Sequence, residues 1–175
     1  MMWRTHTLFG VASLWLLAPV PGLLTGDTLG PLAMFAAFGA LLPDLDASES
    51  KIRSLAVGGV RPFVPVSILI HRMWGHRGLL HSPLGLVLAA CGAVILALFG
   101  YGLPALALLI GYASHLVADA CTRSGIPGWP NRADRRIYLL PPRLRFVTGS
   151  MAEEALVPLI ALVVLVLLLT HYSFR

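Results

Sequence analysis

Leu159-Ile160-Ala161-Leu162-Val163-Val164-Leu165-Val166-Leu167-Leu168-Leu169 is an unbroken apolar run within a longer segment, 155–170, that carries no charged residue. A helix of about 20 such residues crosses the hydrocarbon layer of a bilayer. The rest of the chain agrees with that reading. Of its 175 residues, 57% are hydrophobic and 12% are charged, and the mean hydropathy is +0.81. A soluble domain carries about 25% charged residues, and half of that cannot cover the surface of a small water-soluble fold. The same composition excludes disorder. The length suits one domain, so residues 1–175 are read as a single membrane-embedded domain.

Four further segments resemble the first in composition: 8–24, 28–42, 79–99 and 103–121. Pro19 and Pro21 kink or end the first of them. It follows Arg4 but lacks a convincing A-x-A cleavage site, so it is expected to stay uncleaved. The segment 28–42 is short and is expected to be tilted or half-buried. The stretch 63–70 is too short to cross and is read as re-entrant or interfacial. The predicted fold is an all-α polytopic membrane helical bundle of about five transmembrane or membrane-embedded helices, with loops on the cytoplasmic side. Gly125-Ile126-Pro127-Gly128-Trp129-Pro130 is a loop by composition.

Orientation follows from where the basic residues fall. Arg4 precedes the first segment. Lys51, Arg53, Arg61, Arg72 and Arg77 lie between the second and third, and Arg123, Arg132, Arg135, Arg136, Arg143 and Arg145 between the fourth and fifth. An alternating five-span path puts these twelve of the thirteen basic residues on one side. The prediction is an N-terminus in the cytoplasm and a C-terminus outside. The bias also accounts for the net charge of +5, so no nucleic-acid partner is expected.

The same path gathers the metal-type side chains. Five of six histidines and seven of eight carboxylates fall on or near the cytoplasmic face, and only Asp27 and His171 fall opposite. His115 and Asp119 are four residues apart, so they share a helix face. A polar or ionisable group inside a span is expensive and points to function. His76 and His81 are five apart, off one helical face, but Gly75 and Gly78 suit a turn that brings both rings inward. Asp44 and Asp46 add hard oxygen donors. Imidazole plus carboxylate suits Zn²⁺ first, with Mn²⁺ or Fe²⁺ as alternatives. Cys91 and Cys121 form no metal-binding pair. The pool of His6, Asp44, Asp46, His76, His81, His115, Asp119 and Glu153 exceeds what one ion needs. It fits two ions, or one ion with carboxylates orienting the imidazoles.

Each residue also has a plainer reading. His115 and Asp119 could be a buried pair tying helices together. His6, His76 and His81 could sit among headgroups, and His71 suits a structural or interfacial role. Asp44 and Asp46 could cap a helix. Glu153 and Glu154 favour a helix start through the dipole, with Glu153 preferred as the one that joins the site. Arg77 could contact headgroups or neutralise a phosphate beside the metal.

At these residues the chain resembles the YdjM-type family of bacterial inner-membrane predicted metal-dependent hydrolases. The resemblance is carried by His6, by Gly39-Ala40-Leu41-Leu42-Pro43-Asp44-Leu45-Asp46 with Ser48 and Ser50, and by Gly75-His76-Arg77-Gly78-Leu79-Leu80-His81-Ser82. It continues through Gly111-Tyr112-Ala113-Ser114-His115-Leu116-Val117-Ala118-Asp119, Thr122 with Gly125, and Thr148-Gly149-Ser150 before Glu153. It covers about 150 residues, and the combination of three motifs is specific where any one is weak. Arg61-Pro62-Phe63-Val64-Pro65 matches no family pattern. The ligand types also look distantly similar to the helical zinc-dependent phospholipase C group.

The resemblance implies a multi-pass inner-membrane enzyme. The expected function is metal-dependent hydrolysis of an ester or phosphoester of a lipid or lipid-linked substrate, by metal-activated water at the cytoplasmic face. His6, Asp44, Asp46, His76, His81, His115 and Asp119 are the expected ligands to one or two divalent ions. Asp46 or Glu153 is the expected base, and Arg77 steadies the phosphate. Membrane lipids are the expected partners. Two alternatives use the same cluster: a divalent-metal transporter or sensor, and a non-catalytic scaffold. A transporter usually binds near the midplane, whereas these ligands gather at one face.

Overall fold

A computed structural model of the chain describes residues 1–173 except 48, 49, 57, 76, 131 and 133, with the backbone alone at 171–173. The fold is mostly helical. Its helices are α1 (Trp3–Ser13), α2 (Gly26–Gly39), α3 (Lys51–Ser54), α4 (Phe63–Trp74), α5 (Pro83–Leu98), α6 (Gly102–Ala120) and α7 (Met151–Ser173). Among the described residues, three segments are long and apolar enough to cross a membrane: Gly26–Asp46, Gly102–Ala120 and Met151–Thr170. Phe63–Trp74 and Pro83–Leu98 are shorter apolar helices.

This corrects the sequence reading at two expected spans and one loop. The segment 8–24 is not a continuous span. Its helix starts earlier, at Trp3, and ends at Ser13, and a short 3₁₀ turn at Leu14–Leu17 follows. Eleven residues reach about 16 Å at ~1.5 Å per residue, half a bilayer. Leu14 and Leu24 instead fold back into a core with Leu29, Leu32, Ala36 and Ala107. The segment 28–42 is longer than expected, because a 3₁₀ turn at Leu42–Asp46 extends α2. The loop between α6 and α7 is not wholly irregular. It carries an antiparallel pair, β1 (Ile126–Pro127) and β2 (Arg136–Ile137), with Ile126 opposite Ile137.

Local chemistry sets the helix ends. Thr25 and Thr28 form a reciprocal capping box that opens α2. Ser82 caps α5 by accepting from the Gly85 amide at 3.3 Å, and Pro83 follows at the first helical position. Glu153 and Glu154 occupy the first turn of α7, where the helix dipole favours acids.

α6 lies at the centre and packs against α1, α2 and α5, while α1 also packs against α2 and α7. The α2–α6 contact runs backbone to backbone. A Cβ on Gly111 would lie 2.0 Å from the Ala36 carbonyl oxygen, and one on Gly39 would lie 2.2 Å from that of Leu108. In membranes, where apolar burial gives helices no reason to associate, such small-residue contacts hold them together. The connectivity brings the C-terminal ends of α2 and α6 to the N-terminal ends of α1, α5 and α7.

Candidate metal centre

Six side chains meet at that end of the bundle. His6 comes from α1, Asp44 and Asp46 from the turn after α2, His81 from the turn before α5, and His115 and Asp119 from the last turns of α6. His6, Asp46, His81, His115 and Asp119 are all buried. The polar rim is formed by Asp44 and Arg77, whose side chains are 22% and 20% exposed.

The imidazoles are oriented from behind. His115 Nδ1 donates to the Ala40 carbonyl at 2.7 Å. A carbonyl can only accept, so the Nδ1 proton is fixed there and Nε2 faces the cluster. That bond follows from the glycine contact one turn earlier, since Gly111 lets α6 approach α2 closely enough for His115 to reach Ala40. His81 Nδ1 donates to Asp46 Oδ2 at 3.0 Å, so its Nε2 faces inward as well. His71 in turn donates Nδ1–H to the Asp46 carbonyl at 2.7 Å. Carbonyls and carboxylates behind the rings, holding the tautomer, are the usual support of metal-bound histidine.

The inward atoms are closely spaced. His81 Nε2 and His115 Nε2 are 3.2 Å apart. Asp44 Oδ1 lies 3.7 Å from the first and 3.9 Å from the second. Asp119 Oδ2 lies 3.9 and 4.0 Å from the same two nitrogens, and Asp119 Oδ1 lies 3.4 Å from His6 Nε2. Ligands at about 2.0–2.2 Å from a tetrahedral zinc stand roughly 3.4 Å from one another. The donors form two overlapping groups, His6/His115/Asp119 and Asp44/His81/His115, each able to hold an ion. The donor types, the spacing and the locked tautomers all fit a divalent metal.

Two nitrogens this close need a positive charge between them. In the metal-free molecule a proton supplies it. Burial pushes the His81 imidazolium down. Hydrogen bonds to Asp44 and Asp46, with the charges of Asp46 and Asp119, outweigh burial and raise the pKa to about 9. Protonated His81 then donates Nε2–H to His115 Nε2.

Asp119 has further partners. It also pairs with Arg77 at 3.2 Å through Oδ2 and with the Met1 amino group through Oδ1. Arg77 takes φ +56°, in the left-handed region, and Gly75 before it takes φ +69°.

All of the chain, residues 1–175, matches the family described as YdjM inner membrane protein. The chain belongs to the YdjM family. The inner membrane protein YdjM of Escherichia coli (strain K12) is 33% identical over 112 residues, covering 62% of this chain and 54% of that protein. The Shigella flexneri protein of the same name gives the same values. The uncharacterized protein YvsG of Bacillus subtilis (strain 168) is 32% identical over 158 residues, covering 86% of this chain and 84% of that protein. The chain spans about half the length of the two YdjM proteins. No solved structure matches it. Family membership and the three candidate spans make it an inner membrane protein.

For this YdjM-family chain, His6, Asp44, His81, His115 and Asp119 stand together with their donor atoms inward. Asp46 stands behind His81. His76 lies outside the described residues. Glu153 is buried one layer away, where Oε1 accepts from the Met2 amide at 2.5 Å and Thr5 Oγ1 at 3.1 Å, and Oε2 accepts from the Gly149 amide at 2.7 Å. Those bonds tie the start of α1 to the start of α7. Glu154 is exposed. Sequence reasoning missed the Ala40 carbonyl, Thr5 and the Arg77–Asp119 pair. The first is a backbone group and leaves no mark in the residue pattern. The third joins the turn before α5 to the last turn of α6, 42 residues apart, so no local spacing announces it.

Proposed function

We propose that this protein is a membrane-bound, metal-dependent hydrolase of an ester or phosphoester in a lipid or lipid-linked substrate, working at the cytoplasmic face of the inner membrane. The observation that carries the reading is the pair of inward Nε2 atoms 3.2 Å apart, each with its Nδ1 proton held from behind and each within 4.0 Å of Asp44 and Asp119. A divalent ion, zinc by donor preference, would be held by His81, His115, Asp44 and Asp119, with His6 on the second oxygen of Asp119. When bound it supplies Lewis acidity and an acidic water near neutral pH.

The chain's own groups do the rest. Asp46 holds the His81 ring and its Nδ1 proton. Asp44, the ligand on the exposed rim, would hold the ion on the side that a substrate can reach. Arg77, on the same rim, offers a planar cation to a phosphate. Glu153 keeps α1 against α7 and so keeps His6 in register. The arginine-rich loops put this end of the bundle on the cytoplasmic side, at headgroup depth.

Transport is the weaker use of the same ligands. The donors gather at one end of the helices, whereas a transporter binds near the midplane.

The test is metal analysis of detergent-purified protein, wild type against His115→Ala and Asp119→Ala, followed by assay for phosphate or diacylglycerol release from lipid substrates. Stoichiometric metal lost in both variants, with hydrolysis that depends on it, supports the reading. Metal uptake into proteoliposomes with no ester cleaved overturns it.

A further inference from the structure

A cleft of about 480 Å³ lies between α4, α5 and α6. Its walls are almost entirely apolar and include Leu42, Leu45, Leu80, Leu88, Leu109 and Tyr112. The volume is that of a small-molecule site, but the chemistry is that of neither a sugar nor an ion site. The one phenol on its wall is already satisfied, since Tyr112 Oη donates to the Leu80 carbonyl at 2.5 Å. The cleft opens sideways, beside the outward faces of α5, where Leu88 and Ile95 are exposed. In a membrane protein that opening meets lipid.

The cleft is joined to the metal centre by sequence. Leu42 and Leu45 lie on the turn that presents Asp44. Leu80 precedes His81. Tyr112 stands three residues before His115, on the same face of α6. Three segments that carry the cluster therefore build one end of the cleft, next to the rim where Asp44 is exposed. The other end runs between α5 and α6 over small residues, Ala89, Gly92 and Ala93. A Cβ on Gly92 would meet nothing within 4 Å, so the space there is open.

We propose that this cleft is the acyl-chain subsite of the enzyme: it seats one straight chain of a membrane glycerophospholipid while the headgroup ester lies against Asp44 and Arg77. The inference rests on the hydrolase reading for the headgroup, but the chain's seat can be tested without turnover. Full-length protein in phospholipid nanodiscs is given a trace of a phospholipid with a diazirine in mid-chain, irradiated, and mapped by peptide.

Labelling is expected to concentrate on α5 and α6 between residues 88 and 109. Gly92→Phe and the milder Gly92→Leu should lower it several-fold, the larger side chain more, with bound metal unchanged. Gly30→Phe, on α2 where a Cβ also meets open space, should leave the pattern as in wild type. His115→Ala should lose metal and keep the labelling. Labels spread evenly over the lipid-facing helices, or insensitive to Gly92→Phe in protein that retains its metal, overturn the proposal. So does stronger labelling of the cleft by a polyprenyl phosphate probe. Labelling as expected with no ester hydrolysed leaves the chain site standing and removes the enzyme.

Discussion

The imidazoles of His6 and His115 are stacked, with centroids 3.7 Å apart and planes 13° from parallel. His115 is shared by two donor groups, one with His6 and Asp119 and one with Asp44 and His81, and with its Nδ1 proton on Ala40 its single free lone pair can serve one ion at a time. A second ion is then left to His6 and Asp119 Oδ1, which lie 3.4 Å apart. Asp119 is divided in the same way, with Oδ1 toward His6 and Oδ2 toward His81 and His115. The expected stoichiometry is two ions per chain, falling to one in His6→Ala and to fewer still in Asp119→Ala, which serves both positions. Elemental analysis of the purified variants decides it. One ion in wild type, unaffected by His6→Ala, would show that His6 only packs.

Asp46 acts through His81 rather than on substrate. Asp46→Asn keeps the volume but removes the charge that holds the Nδ1 proton. Loss of such a partner weakens metal binding by about 10–100-fold. Titration with a fluorescent chelator should show that loss, with the helical content of the protein unchanged. Unchanged affinity would deny Asp46 its orienting role.

Much of this centre was legible because membrane composition makes charge conspicuous. Against the Leu-, Ala- and Gly-rich background of α6, His115 and Asp119 stand out, and their four-residue spacing states that they share a face. Asp44 and His81 were legible as ligand types, but their partners came only with the fold. The division of labour between Asp44 and Asp46 was not legible. Both are acids two residues apart, and only the 3₁₀ turn decides that one faces the cluster and the other the back of His81. The break in the first apolar run was hidden for a related reason. Leu14 and Leu24 look lipid-facing in a hydropathy pattern, yet they are buried against α2 and α6, and hydropathy does not distinguish lipid from protein as the apolar neighbour.

Proton release should accompany metal binding. His81 has a pKa raised to about 9 in the metal-free molecule, above its ordinary value of about 6.5. Its stabilising contribution is therefore full below about 6.5 and is lost as pH rises through about 9. Metal must displace the Nε2 proton, so affinity should rise with pH up to about 9. At pH 7, calorimetry in two buffers of different ionisation enthalpy should report a proton released for His81. Thermal unfolding of the metal-free protein should shift to lower temperature between pH 6.5 and 9, and that of the metal-loaded protein should not. Binding heats that do not depend on the buffer would contradict the protonated His81.

The glycine contact can be broken without touching a ligand. A side chain at Gly111 would meet the Ala36 carbonyl oxygen at 2.0 Å, and backbone cannot give way as a flexible side chain does. Overpacking of this kind costs about 1–3 kcal/mol, sometimes more. It would also move α6 off α2, and the His115–Ala40 bond spans that gap. Gly111→Val is therefore expected to lower thermal stability and to lose metal even with every donor present. Gly30→Val, on the same helix pair but facing open space, should do neither. If Gly111→Val folds less stably yet binds metal as wild type does, the close approach supports the bundle alone, and His115 is oriented by something other than Ala40.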